Sequence, residues 1–213
     1  MTIKNSFADA FEKLERLKLQ GKADRDVVFV LVECCTSEQT YNMFYALLAS
    51  KLAEYHKSYG LTLQYHLWDQ IRSLTRFSDA GRRNLALFVR DLLSYNCVSL
   101  LVLKPVDFLA DLAPELKFFV NCVCSSLIAD ASMTSEAVLQ QIFQGLSRKE
   151  SEDIKLLRDG LLLFLRFSLT FRKDQTGEGA RAVVKRRLKL AKEALQHVHV
   201  KKKRGVHQES DEE

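Results

Sequence analysis

The chain has only two prolines and eight glycines in 213 residues. An all-β fold needs a turn at roughly every 8–12 residues, so this scarcity of breakers points to helices. Its five cysteines, Cys34, Cys35, Cys97, Cys122 and Cys124, contain no C-x-x-C pair. An odd number of thiols on apolar segments suggests a reducing compartment, with the thiols buried as small hydrophobes. Cys122 and Cys124 lie two apart on a helix-like segment with no histidine nearby, which suits a tetrahedral zinc site poorly. The first residues, with Lys4, Asp9 and Glu12 around Phe7, do not read as a secretory leader. The most apolar run, Leu161 to Phe171, is too short to cross a bilayer and is expected to be a buried core helix, so no membrane partner is expected. No phosphate-binding loop, nucleophile elbow or H-E-x-x-H motif occurs, and His56, His66, His197, His199 and His207 are scattered. Gly177 and Gly179 flank Glu178 beyond the apolar body and make no phosphate cradle. Catalysis needs convergent polar groups, so a non-enzymatic protein without cofactor or metal is expected.

What is present is helical periodicity. Hydrophobic residues make up 47% of the chain and charged residues 28%, values of a globular protein able to bury a core. Phe7, Phe11, Leu14 and Leu17 repeat at helical spacing, and this leading segment (residues 1–21) should end at Gly21. Asp24 is placed to cap the next helix. Val27 to Val32 is β-branched and suits a buried strand in isolation, but helical spacing continues through Glu33 to Leu52, so helix is assigned. Thr36 with Gln39 three positions on has the form of a capping box, predicting a helix start there. Beyond it Phe44, Leu47, Leu48 and Leu52 form an apolar face, with Tyr41, Tyr45 and Tyr55 alongside.

Further helical sets follow: Leu61 to Leu74, Leu85 to Leu93, Leu116 to Leu127 and Val138 to Leu146. Val98 to Leu103 is ambiguous between strand and helix, and Pro105 is expected in the first turn of another helix. Ser147 and Glu150 form a second capping box ahead of Ser151 to Phe171. About eight to ten helices with short connections should pack as antiparallel pairs. No fixed-period repeat is visible, so an irregular all-α stack over residues 22–172 is expected, in preference to a closed bundle.

The charge is not spread evenly. Residues 173–204 hold eleven Lys or Arg against three acids, a net of +8, and the last nine residues add four acids. Residues 173–197 read as a basic amphipathic final helix and 198–213 as a disordered tail, basic and then acidic. Lys185, Arg186, Arg187 and Lys189, with the cluster Lys201, Lys202, Lys203 and Arg204, are candidates for RNA contact or nuclear import. The competing reading is a solvated helix with its apolar side on the core. No aromatic residue is interleaved with these cations, so base stacking is not expected.

One segment has enough unusual residues in a fixed order to suggest a family. Glu33-Cys34-Cys35, Thr40-Tyr41-Asn42, Phe44-Tyr45-Ala46 and Leu48-Ala49, followed by Trp68-Asp69, resemble the MI domain, also called MA-3. The likeness is to the C-terminal MI domain of the nucleolar MIF-4G domain-containing proteins, the Sgd/NOM group. It extends more weakly through Leu100 to Phe108 and Gly160 to Phe171. The resemblance implies a HEAT-like α-solenoid of helix pairs and a nuclear, nucleolar scaffold in small-subunit ribosomal RNA processing. The partner it implies is a DEAD-box RNA helicase of the initiation-factor 4A type or a pre-ribosomal protein. Splicing factors of the Cwc type, with a similar domain, are the nearest rival. Tyr41, Asn42, Tyr45, Tyr55, Tyr59, Trp68 and Asp69 are the candidate partner-binding residues, with core packing as the competing role of the aromatics.

Overall fold

Phe7, Phe11 and Leu14 turn one side of the first helix, α1 (Ile3–Arg16), onto the rest of the protein. In the computed structural model, which describes residues 3–19, 21–147, 151–172 and 179–204, this pattern of amphipathic helices recurs along the chain. The others are α2 (Lys22–Ser37), α3 (Phe44–Tyr55), α4 (Lys57–Arg72), α5 (Asp79–Ser94), α6 (Pro114–Ala129), α7 (Glu136–Ser147), α8 (Glu152–Leu163) and α9 (Ala180–Arg204). No strand occurs among the described residues. The fold is all-α, an irregular stack of helix pairs: α1 packs on α3, α2 on α4 and α5, α5 on α6, and α9 closes on α6 and α7. One core runs through it, with Leu67, Phe88, Val102, Phe119, Leu127 and Phe143 wholly buried.

Several boundaries differ from those read off the sequence. Thr36 lies in the last turn of α2, where its hydroxyl donates back to the carbonyls of Val32 and Glu33, both at 3.0 Å. A capping residue must instead accept from the next turn, so the Thr36–Gln39 box does not form. The N-cap position of α3 is Met43, and the side chain before it, Asn42, accepts from Phe44 N through Oδ1 at 3.0 Å. Helix α1 ends at Arg16, before Gly21, and Lys18 takes a left-handed φ of 46°. Gly21, at φ 64°, precedes α2, which begins at Lys22 and so takes in Asp24 rather than being capped by it. Pro105 lies in a loop, and Pro114 is the proline in the first helical turn. Val98 to Leu103 becomes neither strand nor α-helix but ends in a buried 3₁₀ turn, Leu100–Leu103.

Two more corrections concern burial. Helix α8 passes into a π-helical turn, Phe164–Ser168, and chain regularity stops at Leu169. Phe164 and Leu165 are buried, but Leu163 and Phe167 are exposed, so Leu161 to Phe171 is not a wholly buried helix. Likewise Cys35 and Cys124 are buried thiols whereas Cys34 faces solvent. The Ser147–Glu150 capping box lies partly outside the described residues. Helix α9 starts at Ala180 and runs to Arg204, past the expected end at residue 197.

Candidate protein-docking groove

Helices α1 and α2 each carry an apolar row that the core does not fully use. On α1 and just beyond, Ala10, Lys13, Leu14 and Leu17 fall at i, i+3, i+4 and i+7; on α2, Val27, Val30, Leu31 and Cys34 fall at the same spacing. Both rows line one cavity of about 530 Å³, floored by Phe44, Tyr45 and Leu48 of α3. Leu17 is 64% exposed and Val30 62%. Lys13 and Asp26 stand on opposite walls, the only charged residues among the described residues of the lining. An apolar trough of this volume, with charge confined to two walls, has the form that accepts the apolar face of an amphipathic helix.

The aromatic residues singled out from sequence are not gathered there. Tyr41 is tied into the protein: its hydroxyl donates to Asp91 Oδ2 at 2.5 Å. Burial, and then the adjacent Asp91 carboxylate, push the Tyr41 phenol far above its ordinary value. Asp91, itself fully buried, also receives Arg90 Nε at 2.7 Å, and Arg90 reaches on to Asp130. Asn42 bonds the first N–H of α3, that of Phe44. Tyr59 is buried, and Trp68 is half-buried with its indole N–H donating to Leu101 O at 2.9 Å. Tyr55 is exposed and stacks edge-on against Phe11, and Asp69 pairs with Arg72 at the surface. Only Tyr45 belongs to the groove; its hydroxyl donates to Glu38 at 2.8 Å, and burial with that bond pushes its pKa up to about 12. Sequence reasoning missed Leu17, Val30 and Cys34. The signal was there, in more apolar positions on α1 and α2 than one buried face requires.

Residues 2–99, from α1 to the approach of the Leu100–Leu103 turn, match the MA3 domain family. The chain carries an MA3 domain. It is similar to nucleolar MIF4G domain-containing protein 1 of Mus musculus, 34% identical over 191 residues covering 89% of this chain and 22% of the relative. Against the Homo sapiens protein of that name the identity is 37% over 159 residues, 75% of this chain and 18% of the relative. A weaker likeness, 25% over 149 residues, is to pre-mRNA-splicing factor CWC22 of Eremothecium gossypii, covering 67% of this chain and 27% of the relative. The chain thus spans about a fifth of the length of the nucleolar relatives. The resemblance carried by Glu33 to Ala49 and Trp68-Asp69 holds, for the domain and for the nucleolar branch.

The groove lies wholly inside the MA3-matched residues, whereas the candidate RNA-contacting residues lie outside them, on α9. These cations are not equivalent. Arg187 is 1% exposed and its guanidinium donates to the carbonyls of Ile128 at 2.6 Å, Leu127 at 2.9 Å and Thr134 at 2.7 Å. It neutralises the carbonyl-rich end of α6 and does not face solvent, contrary to its assignment with Lys185 and Lys189. Arg186 is exposed but held by Glu136 at 2.6 Å. Lys185 and Lys189 are exposed as expected. The side chains of Lys201, Lys202, Lys203 and Arg204 lie outside the described residues. Among the described residues no group of His, Cys, Asp and Glu converges as a metal site, and no helix is long and apolar enough to cross a membrane.

Proposed function

We propose that this chain is a non-enzymatic scaffold module of nucleolar ribosome assembly, acting in small-subunit ribosomal RNA processing. Its groove takes an amphipathic helix from a DEAD-box helicase of the initiation-factor 4A type; a pre-ribosomal protein is the other candidate occupant. The observation that carries this reading is the apolar trough between α1, α2 and α3, open to solvent at Leu17 and Val30 and set within the MA3-matched residues. The relatives' names support the nucleolar setting, and the likeness to them exceeds that to the splicing factor.

Leu17→Glu and Val30→Glu place a carboxylate in the trough without touching the buried core. A helix anchored there loses an apolar contact of the kind that carries about 2 kcal/mol or more, so each change should weaken helicase binding at least about tenfold. Isothermal titration of the purified helicase into wild-type and variant chains measures this. Binding that is tight and insensitive to both changes removes the groove from the interface. Absence of helicase binding by the wild-type chain, with capture of a pre-ribosomal protein that both changes abolish, moves the assignment to that partner.

A further inference from the structure

Helix α9 keeps one side for the core and another for solvent. Val184, Arg187, Ala191, Ala194 and Leu195 are buried against α6 and α7. At 100° per residue, Arg181, Lys185, Lys189 and Lys192 fall within about 80° of one another on a different side, a row about 16 Å long. The first three are exposed and Lys192 is half-exposed. Among the described residues Lys189 has only Glu193, an exposed neighbour one turn on at 3.8 Å, a contact worth little in water. Arg181, Lys185 and Lys192 have no carboxylate partner among the described residues. Arg186, one position off the row, is the cation with a specific acid, Glu136.

What the row lacks matters as much. No large apolar side chain is exposed over residues 180–196 of α9. Protein docking draws its energy from buried apolar or aromatic anchors, and interfacial membrane helices need an apolar side to insert. Neither is offered here. A repeating row of like charges with nothing between them complements a repeating row of phosphates. We infer that Arg181, Lys185, Lys189 and Lys192 form a binding site for the phosphate backbone of RNA. With no aromatic ring on the row, bases are not stacked and recognition is independent of sequence. The α9 backbone runs on to Arg204. The site is separate from the groove, and neither requires the other.

The test is fluorescence anisotropy of the full chain with labelled single-stranded RNA, in one uridine-only and one mixed sequence, across about 50 to 200 mM salt. Neutralising all four residues (Arg181→Gln, Lys185→Gln, Lys189→Gln, Lys192→Gln) should flatten the slope of log K against log salt by about 2.8, at about 0.7 per cation. Across that salt range the four cations account for about a fifty-fold change in affinity. All four lie off the buried face, so circular dichroism and the urea midpoint should stay at wild-type values. Arg186→Gln serves as the matched single change and should move the slope by less than about 0.7. Equal affinity for the two RNAs is expected. An unchanged slope in the fourfold variant overturns the inference, as does binding abolished by neutralising Lys201–Arg204 alone. Displacement of RNA by poly-glutamate at equal charge concentration also overturns it, because the row then serves acidic protein.

Discussion

Arg187→Met separates the structural from the solvent-facing cations of α9. The methionine keeps the unbranched stem in its place among core residues and removes the guanidinium. Three buried carbonyls, of Leu127, Ile128 and Thr134, then lose donors that sit 2.6–2.9 Å away. Each charged hydrogen bond contributes about 1.5–3 kcal/mol net, but the carbonyls at the end of α6 recover part of this by admitting water or shifting. Removal of one side of such a buried arrangement costs about 3–5 kcal/mol, a large share of the roughly 5–15 kcal/mol that holds a domain folded. Urea unfolding followed by far-ultraviolet circular dichroism reads it: with a slope of about 2 kcal/mol/M the midpoint should fall by about 1.5–2.5 M. Lys185→Met, on the solvent side, should stay within about 0.5 kcal/mol of wild type. Arg187→Lys should fall between, since an ammonium keeps the charge but not the fork that reaches several carbonyls. If Arg187→Met unfolds within about 0.3 M of Lys185→Met, a difference below about 0.6 kcal/mol, the reasoning fails and Arg187 returns to the solvent-facing set.

Other expectations follow from the same contacts. Tyr41→Phe removes the hydroxyl donor to buried Asp91 and should cost about 1–3 kcal/mol by urea unfolding, with helicase affinity unchanged in the folded chain. A Cβ at Gly160 would collide with Phe108, whereas one at Gly145 meets nothing within 4 Å; Gly160→Ala should therefore lose about 1–3 kcal/mol and Gly145→Ala gain up to about 1 kcal/mol in melting experiments. Burial pushes the Asp130 carboxyl up, but hydrogen bonds from Ser132 and Met133 together with the Arg90 guanidinium outweigh it, and its pKa lies below the ordinary value. Its contribution to stability is then full above the unfolded value of about 3.9 and lost as pH falls through the lower folded value; Asp130→Asn, which keeps the turn, should abolish that acid step in a stability-against-pH series. Cys34, exposed on the groove wall, should react with maleimide well before buried Cys35 and Cys124, whose thiols burial pushes up to about 12, and a bound helix should protect it.

Helix positions were legible because apolar periodicity reports which side of a segment is buried, and the core sides of α5, α6 and α7 follow it; on α4, Leu63, Leu67 and Ile71 are buried but Leu61 and Tyr65 of the same apolar set are exposed. Boundaries were less so, because a cap depends on which way a hydroxyl turns. Thr36 and Asn42 are both capping types six residues apart, and sequence does not show that the carbonyls of Cys35 and Glu38 at the end of α2 are taken up by Asn84 Nδ2 from α5. Arg187 was misread for a related reason. Sequence shows its charge and its neighbours in the run Lys185-Arg186-Arg187, but not that its 100° turn from Arg186 aims it at the end of α6. Phe167 was misread because the switch to a π-helical turn rotates Phe164–Ser168 out of the α-helical register that predicted burial.

Three of the residues that carried the family resemblance, Tyr41, Asn42 and Trp68, make hydrogen bonds that hold the path of the chain. Tyr41 fastens the α2–α3 connection to Asp91, Asn42 accepts from the first N–H of α3, and Trp68 grips the carbonyl of Leu101 and so the buried turn beyond α5. Asp91 ties this to the second half of the molecule, through Arg90 to Asp130 and thence, by the carbonyls that Arg187 holds, to α9. A buried ion pair of this kind adds little net stability once the loss of hydration is counted; its consequence is that alternative packings leave a bare carboxylate in the core. Signature residues of this sort identify a domain and are silent about its partner. Partner choice, on the proposed reading, falls to Leu17 and Val30, which are exposed on the groove, so substitutions there should change what docks while Tyr41 and Trp68 hold the surrounding fold.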